Sequence, residues 1–329
     1  AHDAGFKVII DWVANHTALD HPWVTKHPEY YLRNANGDFY PPDPLWTDVI
    51  GLNYQNSQLR LQMISEMNYW VNDFNIDGFR CDVAFMIPDE FWVQVREHFK
   101  LKGCDLFLLA ESGKPEHHRC GFNMTYGFDI HHTMRKIAKG GGSANTFWNE
   151  WLREESLYPK DSLVMHFTSN HDENSWFGSD VDLYGDSLFV FSCLMVILPG
   201  VPLLYNGQEF GLDQKILAFD HDPINWSHHG IDHNRLYNLF SKLFALKKLN
   251  RALNAGVPSN RLNRIHTNQD EHILLLTRTH ENDVFVGLFN LSNQQRSVTI
   301  VDNIWLEGLV DFENTLSVNF IKQHTQFHL

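Results

Sequence analysis

Four short apolar runs in this chain each deliver a polar cluster at their C-terminal end. Val8-Ile9-Ile10 leads into Asp11 and on to Asn15-His16, and Ile76 to Phe79 leads into Arg80 and Asp82. Leu106 to Ala110 ends at Glu111, and Leu163-Val164-Met165 with Phe167 ends at Asn170-His171-Asp172. A further run, Val201 to Tyr205, ends at Asn206-Gly207-Gln208-Glu209. Runs this apolar belong to strands of a parallel sheet covered on both faces. Helical patterns separate them. Leu59, Met63, Met67, Trp70 and Phe74 recur at helical spacing, and Pro88-Asp89-Glu90 opens a helix whose apolar face is Phe91, Trp92, Val95 and Phe99. In a (β/α)8 barrel the C-terminal strand ends form one face, where active sites sit. A doubly wound sheet would gather ligands at a single switch point instead. The chain has no phosphate-loop or dinucleotide glycine motif. The pattern therefore predicts a (β/α)8 barrel.

Two stretches break the alternation. Residues 17 to 56 are irregular and rich in proline and aromatics, which is far longer than an ordinary connection. They read as an inserted subdomain, with Trp23, Tyr30, Tyr31, Phe39, Tyr40 and Trp46 either as its core or as sugar-stacking surfaces. After about Val257, the β-branched and aromatic runs His272–Thr279, Asp283–Leu291 and Ser297–Val301 predict a small all-β unit. Ser187 to Gln208 carries no charge, but Pro199, Gly200 and Pro202 interrupt it. The unbroken part is too short for a bilayer of about 30 Å, so it predicts a buried helix followed by a strand and no membrane insertion.

The 329 residues carry 40 acidic against 26 basic side chains, a net charge of -14. That balance argues against a nucleic-acid partner. Cys81, Cys104, Cys120 and Cys193 have no zinc-site spacing and read as reduced, mostly buried thiols. The paired histidines His117-His118 and His131-His132 read as surface residues of helices or loops.

The polar clusters carry a specific chemistry. Breaking a glycosidic bond takes one carboxylic acid to protonate the leaving oxygen and one carboxylate to attack or to activate water. Asp82, Glu111 and Asp172 are the candidates. Arg80 lies two residues before Asp82, so in a strand both point to the same side, where a guanidinium keeps a carboxylate ionised and oriented. Neutral His16 and His171 each offer one donor and one acceptor to sugar hydroxyls. Asp11 is suited to bond Arg80 and shape the site.

Four segments resemble, in order, the signatures of the α-amylase superfamily, glycoside hydrolase family 13. They are Asp11-Trp12-Val13-Ala14-Asn15-His16, Gly78-Phe79-Arg80-Cys81-Asp82, Leu109-Ala110-Glu111 and Phe167-Thr168-Ser169-Asn170-His171-Asp172. The resemblance implies Asp82 as nucleophile, Glu111 as acid/base and Asp172 as transition-state stabiliser, with Arg80, His16, His171 and Asp11 holding substrate or site. It implies a partial barrel over residues 1–256, an inserted B subdomain over 17–56, and a C-terminal β-sandwich over 257–329. On this reading residues 1–16 end the third barrel unit, and the first two units lie outside the sequence. The implied activity is retaining hydrolysis of α-1,4-glucosidic bonds in starch-like glucans or maltooligosaccharides. The alternatives are a transglycosylase, an α-glucosidase or α-1,6-glucosidase, and, from another class, a non-catalytic interaction protein. No cofactor is required on this reading, and calcium is the one metal to consider. Asn15 matches the position of a calcium ligand. Phe85 and Met86, however, replace the Lys-His pair that often follows the nucleophile, and with it a backbone calcium ligand and a substrate contact.

Overall fold

The computed structural model describes residues 1–227, 233–256, 261–301, 317–321 and 324–328. They form two compact units, Ala1–Tyr126 and Gly127–Leu329. Unit one contains β1 (Ile9–Trp12), β2 (His16–Ala18), α1 (Pro22–Lys26), β3 (Val49–Gly51), α2 (Ser57–Phe74), β4 (Gly78–Cys81), α3 (Asp89–Leu101), β5 (Phe107–Ala110) and β6 (Met124–Tyr126). Strands β1, β4, β5 and β6 pair in parallel in that order. The register sets Asp11 beside Arg80 and Arg80 beside Leu109. One residue later, Asp82 N–H donates to Trp12 O and Glu111 N–H to Cys81 O, so the ladder carries both acids just past the strand ends. A Cβ on Gly78 would lie 2.0 Å from Phe107 O, so only glycine lets β4 and β5 start this close.

Helix α2 starts where Asn56 accepts the N–H groups of Gln58 and Leu59, and it buries Leu59, Met63, Ile64 and Met67. Helix α3 places Asp89 and Glu90 in its first turn, at the positive end of the helix dipole. Its Phe91, Trp92, Val95 and Phe99 are fully or almost fully buried. Each such side chain contributes roughly 1.5–3 kcal/mol by leaving water. The expected irregular stretch holds a small hairpin-like pair, β2 with β3, in which His16 faces Gly51. Tyr30 and Tyr31 are buried core there, with Trp23 edge-on to Tyr30 and Phe39 edge-on to Tyr31.

Unit two contains α4 (Phe128–Ala138), α5 (Ala144–Leu157), β7 (Leu163–His166), α6 (His171–Phe177), α7 (Asp180–Tyr184), α8 (Leu188–Ile197), β8 (Val201–Pro202) and α9 (His233–Leu249). Then follow β9 (Asn263–Ile265), β10 (Ile273–His280), β11 (Asp283–Asn290), β12 (Ser297–Thr299), β13 (Ser317–Ile321) and β14 (His324–His328). Strands β7 and β8 are parallel. The later strands form two antiparallel sheets, ordered β11-β10-β9 and β12-β14-β13. The uncharged stretch is α8 followed by β8, as its punctuation predicts. Among the described residues no helix is long and apolar enough to cross a membrane. The C-terminal carbonyls of α8 are met from far along the chain. Lys247 Nζ donates to Val196 O and Leu198 O, and Arg278 Nη1 donates to Ile197 O. All four cysteines are free thiols; Cys81 and Cys120 are buried and the other two half-buried.

The histidine pairs depart from expectation. His117 and His131 are buried, not on the surface. His117 lies in the single 3-10 turn Pro115–His118 and His131 in α4, and the next histidine is half-buried at 118 and exposed at 132. Burial, reinforced by neighbouring His117, pushes His118 down to about 4, so it stays neutral.

Candidate active site

In unit one a single guanidinium organises the acids. Arg80 Nη1 donates to both oxygens of Asp11 at 2.9 and 3.0 Å and to Asp82 Oδ1 at 2.7 Å. Its Nη2 forms an ion pair with Glu111 Oε1 at 2.6 Å, off the line of an ideal hydrogen bond. Its Nε donates to the hydroxyl of Tyr126 at 3.2 Å. Arg80 itself is buried, while Asp11 is open to solvent and Asp82 and Glu111 are only partly so. Burial alone would lower the Arg80 pKa. Tyr126, Glu111 and Asp11 outweigh it and hold the group above the ordinary arginine value. The cation is therefore permanent, and the three carboxylates share it.

The residue after Asp82 is strained. Val83 sits at φ 36°, ψ 45°, a left-handed conformation that a β-branched residue rarely adopts. The strain aims its N–H at Glu111 Oε2, 2.7 Å away. Such positions cost about 1–3 kcal/mol and persist where the surroundings over-determine them.

His16 stands at the start of β2 with its ring 5.3 Å from that of Trp46. Burial lowers its pKa against the opposing fields of Asp82 and Asp48, and its Nδ1 is buried without a hydrogen-bond partner. A neutral imidazole with an unused nitrogen is a ready sugar-hydroxyl partner. In unit two, His171 and Asp172 open α6, with His171 Nε2 3.3 Å from Asp172 Oδ2 and both half open to solvent. Asn170 caps that helix by accepting the Glu173 N–H at 2.8 Å. Glu173 is in turn pinned by Arg135 at 2.5 Å and His131 at 3.1 Å.

Asn15 and one histidine–carboxylate cluster are the candidate metal positions among the described residues. Asn15 is buried, its Nδ2 donates to Met86 Sδ at 3.6 Å, and its backbone oxygen accepts Leu52 N–H. Calcium takes six to eight oxygens, of which the Asn15 amide supplies at most one. His131, His132 and Glu173 bring ligand-type atoms within 4.8 Å of one another. There Arg135 already neutralises the carboxylate.

Sequence reasoning missed Tyr126 and Val83. Tyr126 closes a three-residue strand too short to show a pattern, and a positive φ at valine leaves no trace in composition. Tyr205 to Glu209 is the polar cluster at the end of the last apolar run. Its Gln208 is buried and donates to Thr168 Oγ1 at 2.5 Å, so it braces the interior.

A family model for the alpha amylase catalytic domain matches residues 45–228. The chain belongs to the alpha-amylase family. Alpha-amylase MalA of Haloarcula japonica is 26% identical over 311 residues, covering 91% of this chain and 44% of MalA. A 4-alpha-glucanotransferase of Thermotoga neapolitana is 27% identical over 274 residues, covering 69% of this chain and 58% of the transferase. The chain thus spans about half the length of these two relatives. Among solved structures, the noncanonic maltogenic alpha-amylase AmyB from Thermotoga neapolitana superposes with a TM-score of 0.84 at 26% identity, over 100% of this chain and 76% of that one. The fold is the family's (β/α)8 barrel type with C-terminal β sheets.

Proposed function

We propose that the protein containing this chain is a retaining α-glycoside hydrolase acting on α-1,4-linked glucans or maltooligosaccharides. The observation that carries the reading is the Arg80 fork, which holds Asp82 and Glu111 on adjacent strand ends. In the proposed mechanism Asp82 attacks the anomeric carbon as Glu111 gives a proton to the leaving oxygen. The resulting β-glycosyl–enzyme is hydrolysed when Glu111 takes a proton from water. Asp172 holds ring hydroxyls and is worth most in the oxocarbenium-like transition state. His16 and His171 bind sugar hydroxyls, and Asp11 fixes Arg80. These steps require no cofactor.

In this reading residues 1–256 belong to the barrel, with 17–56 as its inserted subdomain, and 257–329 form the C-terminal β domain. A second reading, glucan transfer, is favoured by the glucanotransferase likeness and uses the same covalent intermediate with a sugar acceptor.

The test is stereochemical and is run on the full-length protein. Proton NMR of freshly cleaved maltoheptaose is expected to show the α-anomer first. Asp82→Asn loses nearly all turnover, while Glu111→Gln keeps activity on glycosyl fluorides, whose leaving group needs no acid. Release of the β-anomer first would overturn the assignment of Asp82. Products longer than the substrate would replace hydrolysis by transfer.

A further inference from the structure

Asp172 stands half open to solvent in the first turn of α6, and its side chain is met by an equally open His171, 3.3 Å away. A contact this exposed holds a carboxylate weakly. The place of Asp172 is therefore set by the backbone of that turn, which is anchored on both sides. Before it, the Asn170 side chain accepts the Glu173 N–H at 2.8 Å. After it, the buried Glu173 carboxylate is gripped from α4. Only His171 and Asp172 lie between the two anchors.

The second anchor joins three segments. Arg135 Nη1 donates to Glu173 Oε2 at 2.5 Å, and its guanidinium lies 4.5 Å from the centre of the Phe177 ring, one turn further along α6. His131, one turn before Arg135 on α4, is fully buried. Its Nδ1 donates to Phe167 O at 3.2 Å, since a carbonyl only accepts. Its Nε2 lies 3.1 Å from Glu173 Oε2, off the line of an ideal hydrogen bond. The His131 ring also stacks on that of Phe167, with centres 4.7 Å apart. One imidazole thus ties α4 to the residue that follows β7 and to the residue that follows Asp172. Burial alone would raise the Glu173 pKa. Contacts with His131, His132 and Arg135 outweigh it and hold the carboxyl well below the usual carboxylate range. A buried carboxylate gives up hydration that a helix start does not need to lose, because the Asn170 cap already serves the first turn. What the buried pair adds is a fixed position.

We propose, resting on the reading of Asp172 as transition-state stabiliser, that Glu173 is a positioning residue for it. Held by Arg135 and His131, Glu173 sets where the Asp172 carboxylate stands and does not itself touch substrate. An interaction made mainly in the transition state shows in kcat more than in KM, and the residue that positions it shares that signature.

The test is a double-mutant cycle on the full-length protein, with each variant checked for folding by circular dichroism. The assay is disappearance of maltoheptaose, which counts hydrolysis and transfer alike. Asp172→Asn is expected to lower kcat about a thousandfold, and Glu173→Ala about a hundredfold with KM within about threefold of wild type. In the Asp172→Asn background, Glu173→Ala is expected to lower kcat by less than about threefold more, because residues that act as one unit are not additive. Glu173→Gln, which keeps an oxygen at the same reach for Arg135, should recover about tenfold of the loss. If Glu173→Ala does not fold, the same cycle with Glu173→Gln decides. Losses that multiply in the double variant would overturn the proposal, as would a Glu173 variant that raises KM and leaves kcat alone. Near-normal kcat in Asp172→Asn would instead overturn the reading of Asp172 itself.

Discussion

The backbone N–H of Val83 donates to Glu111 Oε2 at 2.7 Å, from a residue held at φ 36°. The proposed nucleophile and acid/base are therefore linked twice, through the Arg80 fork and through this amide. What the link requires of residue 83 is a left-handed backbone, not a valine side chain. Asparagine tolerates that conformation. Val83→Asn is expected to keep kcat within about threefold of wild type, because the amide stays aimed while the steric penalty falls. A loss beyond about a hundredfold would assign the role to the side chain instead.

Among the described residues, Arg80 is the one cation bonded to all of Asp11, Asp82 and Glu111. An ammonium is a point charge without a planar fork and cannot satisfy three carboxylates at these distances. Arg80→Lys is expected to fold and to lose about a hundredfold or more in kcat. Arg80→Met, which leaves the acids unpaired, should cost about 3–5 kcal/mol of stability. Chemical denaturation and steady-state kinetics on both variants check this, and near-normal kcat in Arg80→Lys would remove the fork from the mechanism.

Calcium removal should matter little. Phe85 and Met86 replace the Lys-His pair that often follows the nucleophile, and Met86 Sδ, which accepts from Asn15 Nδ2, brings a soft atom beside the candidate ligand. Excess EDTA is expected to leave the melting temperature of the full-length protein nearly unchanged. A fall of about 10 °C, reversed by calcium, would mean more than ~2 kcal/mol of metal-linked stability and an oxygen site elsewhere.

Glu154 predicts a pH-dependent stability. Burial raises its folded-state pKa to about 8 from an ordinary 4.5. Between these values the folded chain keeps the proton and the unfolded chain gives it up, so stability falls as pH rises. Buried His166, lowered to about 4 from 6.5, has the opposite slope below pH 6.5. Wild type therefore masks the effect in acid. The stability of Glu154→Gln relative to wild type should climb by up to about 2–3 kcal/mol from pH 5 to pH 7 and level off above pH 8. Urea denaturation across that range measures it, and a constant difference would show that Glu154 is ionised in the folded chain.

The strand-end clusters were legible because a doubly buried strand must be apolar, so its first polar residue marks its end. The rule slipped by one place at Asp11 and at Arg80, which lie inside β1 and β4 because Trp12 and Cys81 extend those strands. Helices α2 and α3 were legible from their periodic apolar faces and entry residues. The burial of His117 and His131 was not, since a histidine pair on a helix looks the same whichever ring turns inward. The place of Tyr126 against Arg80 depends on which strands pack together, and no local pattern encodes that.

The end of α8 bears on where this chain can be divided. Its last carbonyls belong to the most apolar helix described and are answered by Lys247 in α9 and Arg278 in β10, some fifty and eighty residues onward. Arg278 also binds Leu253 O and Asn254 O on the way. A helix end in such surroundings has no water to fall back on. The antiparallel strands therefore act as a remote cap for the region before them. What looks in the sequence like a detachable tail supplies the hydrogen bonds that let a helix eighty residues earlier come to a stop.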